Sequence, residues 1–166
     1  MVKRKVHLEE LFTLIFLAVV VVDLYASLCL GVDIFHISFL RINTIVASVS
    51  IALSLVVLVI GCGIGYISHE IFHQAVSKNG GIKHLFTRGL YGFVRHPFYL
   101  SLLLIAFSMA CLLASYLVFA ASLVLTAVLV HAAQTEEREL LKRFGEEYAN
   151  YQKSTGMFFP RLRRTS

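Results

Sequence analysis

Three short polar stretches in an otherwise apolar chain combine residue types and spacings that can do chemistry. The first is His69-Glu70-Ile71-Phe72-His73, an H-E-x-x-H pattern. On a helix its two imidazoles share one face and can hold zinc, with Glu70 as the general base of a membrane metalloprotease. A catalytic zinc needs a third protein ligand, and His84, His96, Glu136 and Glu137 are the candidates, none of them in a second recognisable motif. The competing reading is an interfacial helix whose polar face carries two histidines.

The second stretch is Arg95-His96-Pro97-Phe98-Tyr99. Proline is favoured at the first helical position, which makes His96 the N-cap and puts Tyr99 in the first turn. Free N–H groups, the helix dipole and the Arg95 charge then form a corner suited to an anionic group. Composition alone reads the same residues as a membrane-interface anchor. The third stretch is a helix predicted from Gln134 to Gln152. Glu137, Leu141, Phe144, Tyr148 and Tyr151 recur there at spacings of 4, 3, 4 and 3, the inner stripe of an amphipathic helix. A carboxylate facing inward at Glu137 is costly without a cationic or hydrogen-bonding partner. At a helix start near water, the dipole favours it instead.

The elements that must position these residues are apolar. The chain has 166 residues, 58% of them hydrophobic and 15% charged, with a mean hydropathy of +0.78. Soluble domains carry about 45–50% apolar and about 25% charged residues, so that class is excluded. Cys29, Cys62 and Cys111 each sit in an apolar run, far apart, and read as core residues rather than disulfides or a metal knuckle. The net charge of +5 points to loops beside anionic lipid rather than to nucleic acid.

Leu11–Leu30 holds one charge, Asp23, while Ile42–Ile67 and Phe98–Val130 hold none. A helix needs about 20 residues to cross a bilayer. The third run is too long for one crossing and predicts a hairpin turning near Leu113–Ser115, although no Gly or Pro marks the turn. The expectation is a single all-α integral membrane domain over 1–166, with spans of about 11–30, 42–67, 98–113 and 115–132. The first run reads as a span and not as a cleaved signal peptide. With four spans every Lys and Arg except Arg41 falls on one side, which puts both termini in the cytoplasm. Gly61 and Gly65 form G-x-x-x-G and predict close helix packing. Their surroundings lack the strand–turn–helix context of a nucleotide loop. Asp23 reads either as functional or as hydrated near the far interface.

Two separated motifs carry a resemblance. Thr87-Arg88-Gly89-Leu90-Tyr91-Gly92-Phe93-Val94-Arg95-His96-Pro97-Phe98-Tyr99 is similar to T-x-G-x-Y-x-x-x-R-H-P-x-Y. Glu136 to Tyr151, followed by Pro160, is similar to E-E-x-x-L-x-x-x-F-G-x-x-Y-x-x-Y…P. Together they resemble the isoprenylcysteine carboxyl methyltransferase family and its phospholipid methyltransferase relatives, over about residues 83–161. The resemblance implies an integral membrane enzyme that uses S-adenosylmethionine without a Rossmann sheet, its cofactor-binding segments at about 83–99 and 134–161.

Carried over, Tyr91, Arg95, His96, Tyr99, Glu136 and Glu137 line the cofactor pocket, with Glu137, His96 and Arg95 as the catalytic set. The Arg95 corner suits the cofactor's carboxylate, Glu137 its ammonium or sulfonium charge, and Phe98 and Tyr99 its adenine. Members that methylate carboxylates often carry Arg two residues before the Glu-Glu pair. Here that position is Gln134, a substrate-binding candidate, which opens amine and thiol acceptors beside carboxylates. The implied partners are a lipophilic small molecule, entering laterally between spans, and membrane lipids. The chain is short for the eukaryotic enzyme, which points to a prokaryotic cell membrane. A sterol-reductase-like enzyme with a nicotinamide cofactor and a non-catalytic scaffold remain as alternatives.

Overall fold

The computed structural model describes residues 8–29, 44–75 and 85–161. In chain order the helices are α1 (Leu8–Cys29), α2 (Thr44–Ala75), the single turn α3 (Leu90–Phe93), α4 (Pro97–Leu113), α5 (Tyr116–Phe144) and α6 (Glu146–Ser154). Among the described residues there is no strand, only an isolated parallel bridge between Val94 and Gly156. Among the described residues three helices are long and apolar enough to cross a membrane, with α4 as a shorter apolar fourth. The chain is therefore an all-α, multi-pass membrane protein. The start of the second predicted span, at Ile42, lies outside the described residues.

One compact unit draws on the described residues within Met1–Ile60 and Leu103–Ala132. Its interior includes small side chains, Ala106 and Ala110 on α4 and Ser122 on α5, packed with Val118, Leu125 and Leu129 of α5. Small residues let two backbones approach, which is how helices associate where lipid removes the hydrophobic drive. Ser122 Oγ uses that approach to donate across to the Ala106 carbonyl at 3.1 Å.

The hairpin turn falls at Ala114, inside the stretch where it was expected. Ser115 N–H donates to the Ala110 carbonyl and Ala114 N–H to that of Cys111, the paired closure of a Schellman motif. The left-handed position of that motif is normally glycine, and Ala114 occupies it with φ 51°. The missing glycine is why the turn left no mark in the sequence. Asp23 is neither hydrated nor in the cluster described below. It is 3% exposed and accepts from Ser115 Oγ at 3.0 Å, while Ser115 Oγ accepts from Val118 N–H at 3.3 Å. Ser115 caps α5, and Asp23 adds a carboxylate at the positive end of that helix dipole.

The second unit takes the described residues within Gly61–Leu102 and Ala133–Ser166. A Cβ on Gly65 would stand 2.9 Å from Ser101 Oγ, so α2 and α4 are in close contact there, as the G-x-x-x-G spacing predicts. The C-terminal half departs from expectation. The helix predicted over Gln134–Gln152 is instead the end of α5 and the whole of α6, broken at Gly145, where φ is 55°. The predicted stripe is thus split between two helices. Glu137, Tyr148 and Tyr151 are buried, but Leu141 is 41% exposed.

Candidate active site

The site is a hydrogen-bonded cluster within the second unit, between the start of α4, the end of α5, α6 and the strap that follows α6. His96 is the N-cap of α4, its carbonyl accepting from Leu100 N–H at 3.0 Å with Pro97 opening the helix. Arg95 and His96 are anchored by their main chains: Arg95 N–H donates to the Gly156 carbonyl at 2.8 Å and His96 N–H to that of Met157 at 3.2 Å. Phe158 of the same strap lies 6.2 Å from the His96 ring.

Glu137 is the hub. Its Oε1 accepts from Arg95 Nε at 2.7 Å and pairs with His96 Nε2 at 3.1 Å, and its Oε2 accepts from Gln152 Nε2 at 2.8 Å. This is the partnered, inward carboxylate. It is 9% exposed, so the solvent-facing reading of this residue does not hold. Glu136 forms the outer edge, with its side chain 49% exposed. It accepts from Tyr99 Oη at 2.7 Å and lies 3.5 Å from His96 Nδ1. Tyr99 also stacks on the His96 ring, 5.6 Å between centroids and 8° between planes.

The electrostatics follow from these contacts. Burial pushes the Glu137 carboxyl up, but the hydrogen bonds and charges of His96 and Arg95 outweigh it and hold the group at about 2. The residue lies beyond the hydrocarbon: Glu136, Glu137, Arg138, Glu139, Lys142 and Arg143 make this stretch of α5 too charged for a bilayer core. Burial pushes His96 down, and the two carboxylates facing its two ring nitrogens more than reverse this, so its pKa is raised. Burial, then the charge of Glu136, raises Tyr91.

The structure thus brings together Arg95, His96, Tyr99, Glu136 and Glu137 from two stretches some forty residues apart in sequence. Tyr91 joins through its carbonyl, which accepts from Tyr151 Oη at 2.5 Å. Gln134 is exposed and reaches the cluster through no hydrogen bond; its carbonyl accepts from Arg138 Nε at 3.3 Å. Phe98 is 41% exposed. Arg95 does not face an open anion corner. Its Nη1 donates to the carbonyls of Gln152 and Thr155, so the guanidinium caps the C-terminal end of α6 while its Nε holds Glu137.

The 134–161 segment implied by the resemblance contains Gln152 and the strap, but sequence reasoning gave neither Gln152 nor the strap's anchoring residues a role. Gln152 falls off the apolar stripe, and the strap has no periodicity to read. Beside Pro160 of the motif, Gly156 is a signal within it, because a Cβ there would stand 1.8 Å from the Phe159 carbonyl oxygen. The H-E-x-x-H stretch ends α2 with His69 and Glu70 exposed. The His73 side chain and His84 lie outside the described residues. Among the described residues no three His, Cys, Asp or Glu side chains are grouped to hold a metal.

Comparison with known proteins gives a family and a set of relatives. Residues 2–155 match the profile of a family described as a protein of unknown function, DUF1295. The chain is 43% identical over 75 residues to methanethiol S-methyltransferase of Pseudomonas deceptionensis, covering 45% of this chain and 28% of that protein. It is 34% identical over 92 residues to methanethiol S-methyltransferase 1 of Bradyrhizobium diazoefficiens, covering 55% of this chain and 32% of that protein. Over 73 residues it is 42% identical to methanethiol S-methyltransferase 2 of the same organism, covering 44% of this chain and 27% of that protein. The chain thus spans about a third or less of the length of these relatives. The matches agree with the methyltransferase resemblance carried by the two motifs.

Proposed function

Because the chain belongs to the DUF1295 family, we propose that it transfers a methyl group from S-adenosylmethionine to the thiol sulfur of an apolar small molecule at the cytoplasmic membrane face. One observation carries this reading. The Arg95-His96 motif and the Glu136-Glu137 motif, both implied to be cofactor-binding, close into a single hydrogen-bonded cluster. The names of the relatives favour a thiol over the carboxylate and amine acceptors, and Gln134 in place of Arg fits an acceptor with no charge to neutralise.

The residues present fit a cationic, nucleoside-bearing cofactor. Glu136 offers a half-exposed carboxylate as a counter-charge, the Tyr99 ring an aromatic surface, and Tyr148 a buried hydroxyl with no hydrogen-bond partner among the described residues. When bound, the cofactor supplies a methyl group already activated on a sulfonium sulfur. The protein's own task is to hold the acceptor sulfur in line at about 3–3.5 Å and to exclude water. Methyl transfer to a thiol would require the acceptor to give up its proton. Glu136 is the carboxylate open to take it and pass it to solvent. Glu137, held at about 2 and accepting from three donors, is a weak base and acts instead as fixed negative charge. In this reading Arg95 is a positioning residue, holding Glu137 and the end of α6.

An apolar thiol partitions into the bilayer while the cofactor is water-soluble, which gives a membrane-embedded fold its purpose. The test is calorimetric titration of detergent-solubilised protein with S-adenosylhomocysteine, metal analysis of the same sample, and headspace detection of methyl thioether formed from methanethiol and S-adenosylmethionine. Saturable one-to-one binding with thioether release supports the reading. Absence of binding, with one zinc per chain, overturns it.

A further inference from the structure

Tyr148 and Tyr151 stand three residues apart on α6, both buried, with ring centroids 5.9 Å apart in an edge-to-face pair. Their hydroxyls fare differently. Tyr151 donates to the Tyr91 carbonyl at 2.5 Å. Tyr148 is 1% exposed, and its hydroxyl has no hydrogen-bond partner among the described residues. Burying an unpaired hydroxyl is unfavourable, and phenylalanine would fill the same space without that cost. The packing of α6 therefore does not account for the oxygen.

The hydroxyl lies in the field of the cluster. Burial first, then the charge of Glu137, pushes the Tyr148 phenol well above the usual range, so it keeps its proton and remains a donor. Glu137 already accepts from Arg95, His96 and Gln152, and the Tyr148 O–H bonds to none of its oxygens. The described residues supply no acceptor for it. We propose that the Tyr148 hydroxyl is a ligand-binding group that donates to an acceptor atom of the bound methyl donor. This rests on the methyltransferase reading above. The competing occupant is a structural water.

Tyr148→Phe separates the two, measured as the thermal midpoint of the ligand-free protein and as Kd for S-adenosylhomocysteine, both in detergent. The expected result is a midpoint equal to or above wild type and a Kd weakened about tenfold. Tyr151→Phe is the control: its hydroxyl has a protein acceptor, so that variant lowers the midpoint. If Tyr148→Phe lowers the midpoint and leaves Kd unchanged, the hydroxyl serves a structural water and the proposal is overturned. Unchanged values of both overturn it too, as does a fall in midpoint and affinity together that matches Tyr151→Phe. Failure of the wild type to bind removes the methyltransferase reading and this inference with it.

Discussion

Replacing Glu137 by Gln keeps the side chain's size and removes the charge on which the cluster is centred. Arg95 Nε stands 2.7 Å from Glu137 Oε1, and the two side chains are only 10% and 11% exposed. Removing one member of a buried pair leaves the other charge uncompensated, which costs about 3–5 kcal/mol. Gln retains an acceptor oxygen for Arg95 but turns an amide N–H toward the Gln152 donor, so about 3 kcal/mol is the expected loss for Glu137→Gln. For a chain of this size that lowers the thermal midpoint by about 6–12 °C. Arg95→Met loses at least as much, because the carbonyls of Gln152 and Thr155 lose their donor as well. The double variant removes both charges and should recover about 2 kcal/mol relative to the sum of the singles. With no Trp in the chain, melting is best followed by circular dichroism at the helical minimum. Additivity within about 0.5 kcal/mol would falsify the claim that the two residues act as one buried unit.

Further predictions concern pH, the strap and the hairpin. Glu137, held at about 2 against an ordinary 4.5, contributes stability that is present above pH 4.5 and lost as pH falls toward 2. His96, raised above 6.5, contributes stability that is present below pH 6.5 and lost as pH rises through its shifted value. The thermal midpoint should therefore be highest between pH 4.5 and 6.5, and His96→Gln should flatten the alkaline limb; a midpoint still rising above pH 8 contradicts this. Gly156→Ala drives a Cβ to within 1.8 Å of the Phe159 carbonyl oxygen, so it should unseat the strap and abolish cofactor binding; wild-type affinity would show that the strap does not matter. Ala114→Gly relieves a positive φ of 51° and should stabilise the hairpin by about 0.4–1 kcal/mol, read as a higher midpoint; a lower one refutes the strain argument.

What could be read from the sequence depended on whether one physical constraint dominated each segment. Uncharged runs in a chain of this hydropathy have one good solution, so the all-α membrane class needed no structure to see. Pro97 placed the start of α4 because a residue without an N–H belongs at a helix's first position, and His96 is its N-cap as expected. Glu137 was legible as an anomaly, a carboxylate on an apolar stripe, but not its solution. Arg95 and His96 lie 42 and 41 residues away, beyond any periodicity, so only the resemblance grouped them with Glu137, and Gln152, 15 residues away, falls off the stripe.

The misreadings share a cause. The predicted stripe runs one periodicity across Gly145, where the chain turns, and it puts Leu141 inside with Glu137, although Leu141 is 41% exposed on the charged end of α5. Arg95 was read by its neighbours in sequence as a free cation at a helix N-terminus. In space its nearer demands are the unsatisfied carbonyls at the end of α6 and a buried carboxylate, and both are met by one guanidinium. A cation already engaged in this way organises the site rather than receiving a ligand. Under the proposed function, the groups open to a ligand are the half-exposed carboxylate of Glu136 and the hydroxyl of Tyr148, which has no partner among the described residues.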